Sequence, residues 1–333
     1  MPTLILSLEV FDKIGLSLLC NYINEMLMKA YVLMIACAAI CLGCKSQSNG
    51  SKGKSGNASV REMTVDPFKS IDASLPADIE FVQDDKYEVS IVCNKPVAND
   101  IKVWVDNGLL KLSYLDTRKE KNDKLDIDIK ISAPELRNLN CSRAVDFKSR
   151  KLVQDADLEV SLVGASEIDI DNAKCRNIVF VSSGASNVEG NYFASGNISM
   201  DVSGASDIDG NYDASGNITM NISGASDIDG RYSAKGKFSL SASGASDVDC
   251  DAVASAKASV DVSGASDAEV TLEALEANVV ASGTSSLEVN VKCEKLVANS
   301  SGCSTITAKG RANSVKQLCD VGSRIKMGEL KTK

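Results

Sequence analysis

The chain has no histidine among its 333 residues. That absence excludes every catalytic triad that relies on imidazole, and it removes the commonest transition-metal ligand. Tryptophan occurs once, proline five times, and aromatics make up 5% of the sequence. Basic residues are also short: 36 Lys and Arg face 45 Asp and Glu, a net charge of −9. No basic stripe exists to neutralise phosphates, which argues against nucleic acid and against docking on anionic lipid by charge. Long apolar runs are absent except for Ala30 to Leu42. Eleven cysteines are present, but Cys93, Cys141, Cys175, Cys250, Cys293, Cys303 and Cys319 form an odd, unevenly spaced set with no Cys-x-x-Cys among them. This is neither a disulfide framework nor a structural zinc site, and the thiols read as small core or corner residues.

What the sequence has is repetition. Gly-Ala-Ser-Asp recurs at Gly204, Gly224, Gly244 and Gly264, with looser copies at Gly164, Gly184, Gly283, Gly302 and Gly322. The intervals are 20, 20, 20, 20, 20, 19, 19 and 20 residues, a period that marks a solenoid. Two, four and six residues before the glycine stand Val202, Met200 and Ile198, then Ile222, Met220 and Ile218 in the next copy. Spacing of two with Ser, Asp and Asn between is a strand with one buried face. A second apolar column follows four residues after the glycine, from Ile168, Val188 and Ile208 to Leu287 and Ile306. A 20-residue unit of this kind is one coil of a parallel β-helix, in which no rung buries its apolar face alone. The expected fold is thus all-β, a single-stranded parallel β-helix of about ten coils with irregular N-terminal coils. A leucine-rich repeat lacks its Leu consensus here, and a propeller blade needs about twice the period.

The chain divides accordingly. Residues 28–43 hold one lysine, an apolar run and Gly43 ahead of Cys44, the outline of an export signal. They resemble a bacterial lipoprotein signal, which implies lipidation of Cys44 as the new N-terminus. Cys41 and Leu42 depart from that pattern. Residues 1–27 carry Glu9, Asp12 and Glu25, which do not belong ahead of a signal, so translation is expected to start at Met28. Residues 44–59 read as a flexible tether. Residues 60–145 alternate strand-like without the strict period, with a turn at Asp106-Asn107-Gly108 and an exposed loop at 116–124. They are expected to form irregular coils and an N-terminal cover, because an open solenoid end is an unpaired strand edge. Residues 146–333 carry the regular coils.

Phe68-Lys69-Ser70-Ile71-Asp72, Asn107-Gly108-Leu109-Leu110-Lys111-Leu112, Ile131-Ser132-Ala133-Pro134-Glu135-Leu136 and the Ser-Gly-Ala-Ser-Asp rungs together resemble one family. These are the bacterial secreted proteins known as putative auto-transporter adhesins with a head GIN domain, over roughly residues 64–310. The resemblance implies a β-helical, extracytoplasmic, often lipid-anchored protein and no catalytic residues.

Three sets of residues bear on function. Asp207/Asp209, Asp227/Asp229 and Asp247/Asp249 recur after each corner. Stacked about 4.8 Å apart they repel, by roughly 1 kcal/mol per contact in water. The first reading is an exposed ladder that keeps the outer face soluble. The second is a Ca²⁺ site, although the nonapeptide of calcium-binding β-rolls is missing. Tyr192, Tyr212 and Tyr232 form either an internal aromatic column or a flat surface for stacking sugars. Paired carboxylates also suit a polysaccharide-active enzyme. Yet no regular rung adds a basic partner beyond Arg231 and Lys235-Lys237. The expected function is a cell-envelope lipoprotein, periplasmic or surface-exposed, that binds a glycan or protein partner without catalysis and without a cofactor. An oligomer-forming envelope protein is the further alternative, marked by an apolar side or end face.

Overall fold

The computed structural model describes residues 58–94, 97–115 and 125–332. The segment 1–27, the signal at 28–43, Cys44, the tether up to residue 57 and the loop 116–124 lie outside the described residues. Among the described residues there is no helix: the fold is a parallel β-solenoid of about 10 turns with coils of about 20 residues.

Its start is not laid down in chain order. The first strands are β1 (Ala58–Thr64), β2 (Ser70–Ser74), β3 (Ala77–Gln83), β4 (Glu88–Asn94), β5 (Ile101–Asp106), β6 (Leu109–Tyr114), β7 (Ile127–Ala133), β8 (Asn138–Arg143) and β9 (Val145–Ser149). β2 and β3 make one coil, and it is sandwiched. On one side β8 and β9 lie parallel to it; on the other, β6 and β7 do. The end is then closed by antiparallel strands: β5 on β6 through the Asn107-Gly108 turn, β4 on β7, and β1 on β4. The cover expected from the open-edge argument is therefore a pair of antiparallel additions.

From β10 (Leu152–Val153), β11 (Leu158–Gly164) and β12 (Glu167–Cys175) onward the coils follow in order, through β13 (Ile178–Gly184) to β23 (Glu276–Ala281). The last strands, β24 (Ser286–Ser300), β25 (Thr305–Cys319) and β26 (Arg324–Thr332), end the stack. Both apolar columns are inside, from Ile168 to Ile306 and from Ile198, Met200 and Val202 upward.

Each residue of the Gly-Ala-Ser-Asp corner has a separate task. Gly204 has φ +101°, and a Cβ there would lie 2.2 Å from the Gly184 carbonyl oxygen, so only glycine stacks on glycine at this corner. The Ala205 amide donates to that same carbonyl at 2.7 Å, which fixes the rung spacing. Ser206 is buried and its hydroxyl donates to the Ser203 carbonyl at 3.4 Å, satisfying the turn from within. Asp207 points to solvent. At the opposite corner an asparagine ladder does similar work: the Asn217 amide donates to the Asn197 side-chain oxygen at 2.8 Å, and Lys237 to that of Asn217 at 2.9 Å.

Candidate functional site

The pairing register turns the acidic residues into two rows on one outer face. In the first, Asp128, Asp78, Asp146 and Glu167 are neighbours across successive strands, then Asn187, then Asp207, Asp227, Asp247 and Asp267. In the second, Asp169, Glu189, Asp209, Asp229, Asp249, Glu269 and Glu288 follow without a break. At one strand spacing per step this is a carboxylate stripe about 29 Å long. The six aspartates singled out as calcium candidates are exposed members of these rows. They are strung out along the axis: among the described residues no group of three or more His, Cys, Asp or Glu converges as a metal centre would require.

Toward the covered end the second row changes sign. Next to Asp169 stands Lys148, then Glu80, then Lys130. Here the outer face is concave, a groove of about 650 Å³ that also takes in Ser90, Val92, Arg150 and Asp171. Lys148 bonds Asp146 at 2.9 Å and Lys130 lies 3.4 Å from Glu80. The second oxygen of Asp146, Oδ1, is buried without a partner among the described residues. Partial burial, with Asp126 and Asp78 alongside, raises the Asp128 carboxyl above its usual range. Burial and Asp171 do the same to Asp169, against the opposing pull of Lys148. The Lys148 ammonium is held charged by its bond to Asp146.

Basic partners for the carboxylates therefore exist: Lys148 at the start of the regular coils, contrary to the expectation of none beyond Arg231 and Lys235-Lys237, and Lys130 on β7, which precedes β8 in the chain yet stacks beyond β3. Alternation within Ile127–Ile131 was visible; the neighbour of that strand was not.

The tyrosines require a correction. Tyr192, Tyr212 and Tyr232 are 1%, 1% and 0% exposed and stack at 5.2 and 5.1 Å with nearly parallel rings. They form an internal column, with Phe180 edge-on at 4.9 Å, and offer no surface to a ligand. The column follows from the strand's own alternation: Ile208, Gly210, Tyr212 and Ala214 share the inward face, and Tyr232 takes the same place in the next coil.

The seven described cysteines are all free thiols; five are buried, while Cys303 and Cys319 are exposed. Burial pushes the Cys141 and Cys175 thiols up to about 12, and Cys250 higher still, so these are inert packing groups.

No curated protein matches this sequence. Several solved structures are similar to it. One is a putative adhesin from Parabacteroides distasonis, 16% identical over 81% of this chain and 97% of that one, with a TM-score of 0.42. A putative adhesin from Parabacteroides merdae is 14% identical over 81% and 96%, with a TM-score of 0.39. A putative lipid binding protein from Parabacteroides distasonis is 18% identical over 84% and 97%, with a TM-score of 0.36. The profile of the family described as putative auto-transporter adhesin, head GIN domain, matches residues 67–249 and 191–284, most of the solenoid, and the chain belongs to that family.

Proposed function

We propose that this protein is an adhesin-like binding module of the cell envelope, held by a lipid on Cys44, which receives a glycan in the groove beside β3, β7 and β9. The observation that carries the reading is the groove itself. It alternates carboxylates with lysines on a rigid sheet, and beside them lies Val92, 37% exposed. Carboxylates accept from vicinal hydroxyls, ammonium groups donate to ring and hydroxyl oxygens, and an apolar patch packs a sugar face. The stripe of exposed carboxylates beyond it keeps the rod soluble and repels anionic polymers along its length.

One observation favours a second reading. Asp128 and Asp169 both hold their protons more tightly than ordinary aspartates, in a groove that contains Lys148. Asp169 beside Lys148 is the environment a polysaccharide lyase would need, whereas Asp128 lies three strand spacings away, about 14 Å, too far to pair with it as in a hydrolase. A glycan array probed with purified residues 45–333, in calcium and in chelator, separates the readings. Saturable binding without turnover supports the adhesin, and loss of binding in chelator adds a Ca²⁺ bridge through the aspartate rows. Release of shortened saccharide overturns it in favour of an enzyme.

A further inference from the structure

The two ends of the solenoid are built differently. The N-terminal end is shut by antiparallel strands, and the half-buried Arg61 on the edge strand β1 donates to the Ile101 carbonyl at 3.3 Å. A charge set on the core side of an edge discourages further pairing. Among the described residues the C-terminal end has no such cover. β26 pairs with β25 on one side only, and the stretch Ser314–Cys319 of β25 has β24 on one side only. Along β26 the core-facing Ile325, Met327 and Leu330 are only half-buried, as is Val315 on β25. Leu318 is exposed, and Val321 at the turn between them is fully so.

Charge sets this end apart as well. The solvent side of β26 carries three cations, Arg324, Lys326 and Lys331, and one carboxylate, Glu329, and β25 adds a fourth cation, Lys316. Among the described residues none of the four has a carboxylate within 4.0 Å. The second row is acidic from Asp169 to Glu288 and then passes through Thr307 to Lys326, while the column of Lys331 is basic from Lys292 through Arg311. Some coils alternate apolar with acidic residues, as in Asp247-Val248-Asp249-Cys250-Asp251, whereas β25 carries Lys309, Arg311 and Lys316 and no carboxylate. On β26 half-buried apolar residues between exposed cations complement a strand of the first kind, and among the described residues no strand lies over them.

We propose that the edge of β26 is a docking site for an extended acidic segment of another protein, alternating carboxylates with small apolar residues. Backbone groups of the free edge pair with the segment, Ile325, Met327 and Leu330 take its apolar side chains, and Lys326 and Lys331 take its carboxylates. A second copy of this chain does not fit. Tail against tail would oppose two cationic edges, and tail against head would press the core-side Arg61 against Ile325, Met327 and Leu330, although the neighbouring Glu62 is exposed. The lysines, and the bulge that shifts register between Thr307 and Lys309, turn away neutral or basic strands and so make the edge selective.

The test uses residues 45–333 and three labelled eight-residue peptides followed by fluorescence anisotropy. One alternates Asp with Val, one alternates Lys with Val, and one is the Asp/Val peptide with a central Val replaced by Pro. Saturable binding of the Asp/Val peptide alone is expected, weakened about tenfold by Lys326→Glu with Lys331→Glu. Both lysines are exposed, so the double variant should melt like the wild type. Equal binding of the proline peptide would show charge attraction without strand pairing and overturn the proposal. So would absence of binding, capture of anionic phospholipid vesicles in place of the peptide, or self-association in sedimentation that the double variant abolishes.

Discussion

Replacing each tyrosine of the internal column by phenylalanine removes the same atom from the same kind of site, yet the three effects should differ in sign. The Tyr192 hydroxyl donates to the Glu189 carbonyl at 2.8 Å, and that of Tyr212 to the Asp209 carbonyl at 3.3 Å. The Tyr232 hydroxyl is buried with no partner among the described residues. The difference follows from Gly230. Unlike Gly190 and Gly210 it is not at positive φ, and it stacks under Cys250, which needs an ordinary backbone. A net hydrogen bond contributes about 1 kcal/mol, and a buried hydroxyl left unpaired costs about 1–3 kcal/mol. Tyr192→Phe should therefore destabilise by about 1 kcal/mol and Tyr212→Phe by about half as much. Tyr232→Phe should be neutral or stabilise by about 1 kcal/mol. Solenoid coils respond locally, so urea unfolding is best read together with amide exchange at each substituted rung. A clear loss of stability in Tyr232→Phe, or equal losses at all three positions, would refute the reasoning.

Two further outcomes follow from the corners and the charges. Gly204→Ala puts a Cβ against the Gly184 carbonyl at positive φ and should cost at least about 2 kcal/mol. Gly328→Ala, where nothing lies within 4 Å, should change the urea midpoint little. The raised carboxyls of Asp128 and Asp169 stabilise the fold most at low pH, and that contribution is lost as pH rises through their folded values. Asn at either position should thus raise the midpoint at pH 7 and leave it unchanged near pH 3. Asp157 is opposite: its bonds to Arg176 and Asn177 hold it well below the usual range, so its contribution is present above about pH 4 and disappears on acidification. Asp157→Asn should lower stability at pH 7 by a few tenths of a kcal/mol, given its exposure, and that loss should shrink progressively on acidification.

The regular coils were legible because a solenoid repeats one local problem. Ile198, Met200 and Val202 recur at fixed distance from a glycine, and stacking like on like turns that period into register. The burial of Tyr192, Tyr212 and Tyr232 was legible in part: Ile208, Gly210, Tyr212 and Ala214 are spaced by two, which puts the tyrosine on the buried face, but a glycine in place of an apolar residue interrupts the column and left the surface alternative open. The groove was hidden for another reason. Asp128 and Lys130 meet Asp78 and Glu80 only because β6 and β7 stack beyond β2 and β3, and no local signal in the chain announces a coil placed out of order. The cationic last coil was visible as composition, but its meaning depended on which edges end unpaired.

Calorimetric titration of one array-selected glycan into wild-type protein and into Lys148→Glu tests the groove most directly. Lys148 is exposed and faces Asp146 and Asp169. Saturable heat with the wild type, at least tenfold weaker binding to the variant while its melting transition, though lowered, stays above the titration temperature, and recovery of intact glycan are the predicted results. Equal affinity for both proteins would place the ligand elsewhere on the solenoid, and a shortened glycan recovered from the cell would make the groove an active site.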